Sequence, residues 1–398
     1  MRKRVVILFG AGAVISWGGP TTKNLTEQLR KHHHSFICKD KICKDKKTKV
    51  TEKIYQMLLD NGYSEDNVNF ETIISVIEDL IVYYSCNNDQ LSLSQVFFAS
   101  KLEEFINFSI DYNDSRITTK FINIKSQKQT YFIHLLSELL TYINAEISKY
   151  SYHTGSHSKI ETSEKEDIND AFQKWLKSFS EDSIIRMYTL NYDRLFKILA
   201  EKAEISVFEG FDCETTPPAD KMVSPNILKI LSDMDSNIHY NLHGSSFWVV
   251  NPISNPGTQL PDPWITLYGA PRIDNSHPSI MQLDRGRYVL VSNIITGYQK
   301  MQKSFITPFR QMQSAFDKDC CFADEMYIIG YSFGDAHINL SIKAALKSNQ
   351  SIKFHLIDPT YCEKDGCNGY NKLINIFPDF ENKLTVTALK FEDFLSLP

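Results

Sequence analysis

The stretch that most constrains the fold is residues 5–22, which read VVILFGAGAVISWGGPTT. Residues 5–9 form an unbroken apolar run, as expected for a strand buried on both faces of a parallel sheet. The small residues at 10–13 (GAGA) allow a tight turn and let a phosphate approach the backbone N–H groups. Residues 23–31 then have helix-forming composition. This order predicts half of a dinucleotide-binding motif. Because Ile15 stands where the third glycine would fall, an ordinary strand-to-helix turn is the alternative.

Length and charge narrow the class of protein. The chain has 398 residues, of which 42% are hydrophobic, enough for two domains or for one large α/β domain with an insertion. Its formal net charge of -5 gives no basic surface on which to expect nucleic acid. No apolar stretch is long enough to cross a bilayer, and the apolar run at the amino terminus is too short for a signal peptide. We therefore expect a cytoplasmic protein without direct contact with nucleic acid or membrane.

The eight cysteines are scattered and form no Cys-x-x-Cys pair, so we expect reduced thiols. One metal site has to be weighed, because a short segment contains three histidines and two cysteines, and zinc binds imidazole and thiolate. These residues are His32, His33, His34, Cys38 and Cys43. Their surroundings are rich in lysine, as in a solvated loop. The loop interpretation is favoured, and no metal is predicted.

The part of the chain between the opening strand–turn–helix unit and residue 181 has a helical pattern. Within residues 51–180 the clearest amphipathic segments are 96–110 and 131–147. We interpret residues 51–180 as an inserted helical subdomain. Residues 1–50 and 181–398 are then the two parts of the main α/β domain.

From residue 181 onwards strands alternate with helices, which predicts a Rossmann-like, mostly parallel sheet with helices on both faces. Asp193 is expected in the first turn of a helix at 192–202. The proline-rich stretch 252–278 is expected to be irregular. The other predicted strands lie at 184–190, 205–208, 237–242, 288–291, 325–329, 352–357 and 384–386, and the other predicted helices lie at 298–316 and 336–347.

In such a sheet a ligand binds beyond the carboxyl ends of the strands. Five predicted strands end at glycine, amide, carboxylate or imidazole groups, and their convergence on one edge favours a binding site. Each group also has a structural explanation: Asn191 and Asp335 could cap helices, Asp193 could stabilise a helix amino end, and His243 could be a structural histidine. The groups are residues 10–13, Asn191, Asp193, His243, Gly330, Asp335, His337 and Asp358.

Three segments after these strands, TLNYDRLF, NLHGSSFW and GYSFGDAHIN, together with the GAGA turn, resemble the sirtuin-like family. More specifically, they resemble the bacterial sirtuin-like NAD+ hydrolases of antiphage defence. The resemblance implies that residues 10–13 hold the pyrophosphate, that Asn191 and Asp193 lie around the nicotinamide ribose, and that His243 is the catalytic histidine. It also places Ser332 and its neighbouring glycines at the adenosine ribose and phosphates, with Asp358 near the adenosine end.

The resemblance thus implies a complete site with NAD+ as substrate. Its catalytic residues are Asn191, Asp193 and His243. Its NAD+-binding residues are Gly10, Ala11, Gly12, Ala13, Thr21, Asn191, Asp193, Gly330, Ser332, Phe333, Asp335, His337 and Asp358.

The sequence also departs from the sirtuin deacetylases. Residues 245–301 contain none of the cysteines that hold the zinc ion of those enzymes. Thr21 and Thr22 stand where deacetylases have an acidic residue and an arginine. These departures favour hydrolysis of NAD+ to nicotinamide and ADP-ribose. A non-catalytic module that senses NAD+ or ADP-ribose, and an NAD-dependent protein deacylase, are the alternatives.

Uncontrolled hydrolysis of NAD+ would harm the host cell, so we expect the activity to be gated by homo-oligomerisation or by a partner. The resemblance implies a role in abortive infection by NAD+ depletion. It suggests a HerA-type hexameric ATPase or a phage component as the regulator. Residues 52–180 are the expected surface for that partner.

Overall fold

The structure is a computed structural model that describes residues 2–31, 50–85, 124–151, 165–180, 182–212, 222–253, 262–269, 279–284, 287–296, 300–303, 306–361, 368–378 and 383–397. The histidines and cysteines weighed as a metal site, and the amphipathic segment 96–110, lie outside these residues. Cys320 and Cys321 lie within them, and both are free thiols.

The described strands are β1 (Lys3–Phe9), β2 (Ser183–Thr189), β3 (Met222–Val223), β4 (Ile238–Asn241), β5 (Trp248–Ile253), β6 (Asp262–Tyr268), β7 (Ser279–Asp284), β8 (Arg287–Val291), β9 (Glu325–Ile329), β10 (Lys353–Ile357) and β11 (Leu384–Thr387). The described α-helices are α1 (Thr22–Lys31), α2 (Val50–Asp60), α3 (Phe70–Ser85), α4 (Ile124–Ser151), α5 (Glu166–Ser180), α6 (Leu195–Lys202), α7 (Ile227–Ser232), α8 (Lys300–Lys303), α9 (Phe309–Phe322), α10 (Ala336–Ser348), α11 (Asn368–Ile376) and α12 (Phe391–Leu395).

Six of these strands form one parallel sheet in the order β4–β2–β1–β9–β10–β11. Along the chain, β2 and then β4 extend the sheet on one side of β1. β9 pairs with the other side of β1, and β10 and β11 extend the sheet from there. The switch point of this doubly wound sheet is therefore between β1 and β9, and ligands of such sheets bind beyond the strand ends at that point. The predicted Rossmann-like α/β fold is confirmed.

The register of the sheet brings the strand ends to one level. Phe9, the last residue of β1, pairs with the last residues of both neighbouring strands, Thr189 and Ile329. Thr189 pairs in turn with Asn241 of β4, and Ile329 pairs with Ile357 of β10. Because parallel strands point the same way, the residues that follow these five strands emerge along a single edge.

Two apolar clusters cover the two faces of the sheet. Side chains alternate along a strand, so Val5 and Ile7 of β1 join one cluster and Val6 and Leu8 join the other. Buried residues of α2, α3 and α4, such as Ile73, belong to the first cluster. The helices that lie between β1 and β2 in the chain thus share a core with one face of the sheet.

Several local predictions are wrong. The stretch 252–278, expected to be irregular, includes the end of β5 and all of β6, which pair antiparallel. Pro252 fits there because it lies on an edge strand, where proline is tolerated. The strand predicted at 288–291 exists as β8, but it pairs with β7 outside the parallel sheet. In the stretch 205–208, Phe208 makes a single bridge to β4.

The helix predicted at 298–316 is divided into α8 and α9. A cis peptide bond joins Thr307 to Pro308 between them. Proline lacks an N–H donor, and it disfavours helical geometry in the residue before it, so a continuous helix is interrupted at this point. The segment 131–147 lies within the longer helix α4, and the other strand and helix predictions on described residues agree with the structure within about three residues at each end.

Candidate active site

Three glycines let the ends of β1 and β9 meet backbone to backbone. A Cβ atom on Gly10 would lie 2.4 Å from the carbonyl oxygen of Gly330, and one on Gly330 would lie 2.2 Å from the nitrogen of Ala13. Gly330 also has a φ of 60°, which favours glycine. The N–H of Gly12 donates to the carbonyl oxygen of Gly330 at 2.9 Å. Packing at the switch point therefore explains these glycines, and their contact with a pyrophosphate stays a prediction.

The turn after β1 continues as a 3-10 helix, Ala11–Trp17, before α1 begins. Ala11 is exposed at its start and Ala13 is buried. Further on, Oγ1 of Thr21 accepts the N–H of Asn24 at 3.1 Å. This contact is typical of a helix cap. The place of Thr21 in an NAD+ site stays a prediction.

Asn191, in the loop after β2, bridges two strand ends. Its side-chain amide donates to the carbonyl oxygen of Gly10 at 3.0 Å, and its backbone N–H donates to Oγ1 of Thr189 at 3.0 Å. The side-chain amide of Asn241, at the end of β4, donates to the carbonyl oxygens of Asn191 at 3.0 Å and Asp193 at 2.8 Å. The loop is therefore tied to β1, β2 and β4, and the Asn191 side chain points to the glycine turn.

Asp193 is fully buried behind this loop. Its Oδ1 accepts the N–H of Leu195 at 2.9 Å, and its Oδ2 accepts the hydroxyl of Tyr150 in α4 at 2.9 Å. Burial raises its pKa to about 6, although both hydrogen bonds oppose the rise. The prediction that Asp193 lies in the first turn of a helix is wrong, since α6 begins at Leu195. These contacts are those of a residue that positions the loop.

His243 follows β4 and lies at the same edge, with only 3% of its surface exposed. The backbone of Leu190, the residue before Asn191, raises the pKa of this ring. Its Nε2 is buried and has no hydrogen-bond partner. Nε2 lies 4.0 Å from Oδ1 of Asp335, and the ring lies 5.5 Å from that of His337. The ring thus lies close to Asp335 and His337 at this edge, with its Nε2 unpartnered.

The buried surroundings of His243 keep its ring neutral near neutral pH. Burial is the main cause that lowers its pKa to about 3. Lys300 and His337 also lower this pKa, and Asp335 raises it. A neutral ring with an unpartnered Nε2 can accept a proton or a hydrogen bond.

Asp335 stands at the amino end of α10 without capping it through its side chain. Instead its Oδ1 accepts a hydrogen bond from Nζ of Lys300 at 2.9 Å, and Nζ lies 2.8 Å from Oε2 of Glu71 in α3. Burial favours the neutral form of Asp335, but His243, Lys300 and His337 outweigh it and lower the pKa to about 2. A chain of charged groups therefore runs from α3 through α8 to the His243 ring.

The remaining predicted residues lie along the loops after β9 and β10. Phe333 is buried and has a φ of 57°, a strained value for a residue with a side chain. Ser332 is exposed, and its carbonyl oxygen accepts a hydrogen bond from Lys372 at 2.7 Å. Oδ1 of Asp358 accepts the N–H of Thr360 at 2.8 Å, which holds it in a local turn. These residues follow strands that end at the same edge as β4, but none of their described hydrogen bonds reaches His243.

Glu71, Lys300 and Asn241 are site residues that the sequence analysis missed. Asn241 had a signal, because it is the first residue of the motif that contains His243 at the end of a predicted strand. Glu71 and Lys300 had none, since they come from helices far apart in the chain and meet only in the folded structure.

Within the described ranges, no three His, Cys, Asp or Glu side chains are grouped as they would be around a metal ion. None of the helices in the same ranges is both long and apolar enough to cross a membrane.

No protein-family model matches the chain, and no curated protein matches it. Among solved structures, the chain is similar to a Sir2 homologue in complex with NAD. The alignment has a TM-score of 0.36 and 14% sequence identity, and it covers 99% of this chain and 87% of the other.

Proposed function

We propose that this chain hydrolyses NAD+ at the nicotinamide–ribose bond, with water as the second substrate and nicotinamide, ADP-ribose and a proton as products. The observation that best supports this is the His243 ring at the ligand-binding edge of the sheet. Its Nε2 is buried without a hydrogen-bond partner and lies 4.0 Å from Oδ1 of Asp335. The motifs that resemble the NAD+ hydrolases thus meet at one point.

His243 acts as the proton acceptor in this proposal. The leaving nicotinamide departs as a neutral molecule from a cationic pyridinium, so no general acid is needed. The ribose passes through an oxocarbenium-like state that water attacks, as in other glycosidic cleavages. Nε2 takes the proton that this water loses, and Asp335 at 4.0 Å stabilises the resulting imidazolium.

Asn191 orients the ribose or the water. Its amide N–H is anchored on the carbonyl oxygen of Gly10, so its own carbonyl oxygen can accept from a ribose hydroxyl or from the water. Asp193, with both oxygens bonded to protein groups, supports this loop from behind. We therefore assign substrate contact to Asn191 and His243, and loop support to Asp193.

Incubation of the purified chain with NAD+, followed by identification of the products, tests the proposal. We expect nicotinamide and ADP-ribose in equal amounts without any acetylated peptide. Nicotinamide release only in the presence of an acetylated peptide would instead indicate a deacylase. Saturable binding of NAD+ without nicotinamide would indicate a sensing module, a candidate favoured by the near-complete burial of His243.

That burial also supports gating of the activity. A ring with 3% of its surface exposed has to become accessible before NAD+ can reach it. We propose that self-association, or a regulator such as a HerA-type ATPase or a phage component acting on the helices between β1 and β2, provides this access during antiphage defence. Specific activity that rises with protein concentration would support self-association, and a flat profile would exclude it.

A further inference from the structure

Two ion pairs join α3 to α8. The lysine of one of them also contacts Asp335, which faces the His243 ring. Lys300 pairs with Glu71 at 2.8 Å, and Lys303 pairs with Glu78 at 2.5 Å. The lysines are one turn apart on α8, and the glutamates are two turns apart on one face of α3. Lys303 also donates to the carbonyl oxygen of Thr296 at 2.9 Å. The short helix α8 is thereby fixed against α3 along its length.

Lys300 and His243 face the same carboxylate oxygen. Oδ1 of Asp335 lies 2.9 Å from Nζ of Lys300 and 4.0 Å from Nε2 of His243. The ammonium group has the shorter contact, with hydrogen-bond geometry, whereas the imidazole is beyond hydrogen-bond distance. Glu71 also contacts this ammonium group, with Oε2 2.8 Å from Nζ.

We infer that Lys300, anchored by Glu71, is a positioning residue that engages Asp335 and so keeps Nε2 of His243 free to accept the proton in catalysis. The inference rests on the proposed hydrolysis of NAD+. It makes α3 part of the active site, because Glu71 fixes the lysine on which the state of His243 depends. Neither Lys300 nor Glu71 contacts the reacting atoms in this assignment.

The charges around His243 agree with this role. The charged and titratable groups that act on its ring are Asp335, Lys300 and His337, with Glu71 behind Lys300. Asp335 raises the pKa of His243, and Lys300 lowers it. Without the ammonium group, Asp335 would be opposed only by burial and His337, so the ring would take up a proton at higher pH.

Replacing Lys300 by glutamine tests the inference, since glutamine can still hydrogen-bond both carboxylates but carries no charge. We expect the acid limb of the pH profile for NAD+ cleavage to move to higher pH and kcat to fall by about 10- to 100-fold. Lys300→Arg should keep the wild-type profile. Lys347→Gln, which removes an exposed charge from the far end of α10, is the matched control.

An NMR titration of the His243 ring separates this inference from the proposed function, because it requires no turnover. In the wild type we expect the ring to stay neutral down to about pH 5, and in Lys300→Gln to begin to titrate above about pH 5. If Lys300→Gln does not fold, Lys300→Met serves for the same comparison. An unchanged His243 titration and an unchanged acid limb would overturn the inference, even if kcat falls.

Discussion

Two buried histidines, four residues apart at the end of β4, show what distinguishes the sheet edge from the sheet interior. His239 lies within the strand and His243 just beyond it, and burial lowers the pKa of each to about 3. Neither burial nor pKa separates them. Both ring nitrogens of His239 are buried without a hydrogen-bond partner, and so is Nε2 of His243. The two rings differ in position, because His243 lies beyond the end of the strand.

The charged groups around the two histidine rings also differ. His239 faces Glu209, Arg194 and Lys197, and Arg194 is already paired with Glu209 at 2.8 Å. His243 faces Asp335 and Lys300, which reach it from separate elements at the open end of the sheet. A buried histidine beyond a strand end, at the edge where ligands of such sheets bind, suits chemistry, whereas a histidine within the strand suits packing.

The largest effect is expected when the same substitution is made at His243 and at His239. We expect His243→Gln to reduce NAD+ cleavage by about 10²–10⁴-fold, because the proton acceptor is lost. His239→Gln should keep the activity of the folded protein. Steady-state rates, corrected for the folded fraction by circular dichroism, make the comparison. Equal losses of activity in the two variants would mean that His243 has no special role.

A second test disturbs the edge without changing either histidine. Gly330→Ala should lower the free energy of unfolding by more than about 3 kcal/mol, because the new Cβ would meet the backbone of Ala13 at 2.2 Å and φ is 60°. Gly334→Ala is the matched control, since its Cβ would meet only Oγ of Ser332 at 3.6 Å. Urea denaturation measures both variants, and similar losses would refute tight packing at the switch point.

The smallest expected effect concerns Asp193. This residue follows a strand end in the sequence, but its side chain contacts buried groups behind the sheet edge. Its folded-state pKa of about 6 is above the model-peptide value of 3.8, so folding favours the protonated form. Stability from this group is therefore greatest at low pH and declines as the pH rises from about 4 to 6. Over that pH range, the unfolding free energy of the wild type should fall by at most about 3 kcal/mol relative to that of Asp193→Asn. A constant difference in unfolding free energy would contradict this placement.

The sequence predicted the sheet well because its strands are read from local patterns. Apolar runs such as residues 5–9 and 325–329 are nearly continuous, as in strands buried on both faces. The order of these strands placed Asn191, His243 and Asp335 at strand ends, and the parallel register brings those ends to one level. The proline-rich stretch at 252–278 was misread because both prolines in its strands have a strand neighbour on one side only, where proline is tolerated. Pro252 lies on the edge strand β5, and β3 pairs with β6 at residues 267–268, away from Pro263.

The charged half of the site could not be predicted in this way. Glu71 and Lys300 are ordinary surface-type residues on helical segments, and nothing within a few residues of either one indicates a partner. Their contact depends on how α3 and α8 pack against the sheet. Asp193 shows the converse, because its position in a conspicuous motif suggested chemistry, while its two carboxylate oxygens are bonded to Leu195 and Tyr150.

The most direct test of the central claim is the structure of the His243→Gln variant with NAD+ bound. We expect the pyrophosphate beside the turn after β1, the nicotinamide ribose against Asn191, and the scissile carbon facing residue 243. NAD+ bound in the opposite direction, with its adenosine at residue 243, or bound away from the β1–β9 switch point, would contradict the account.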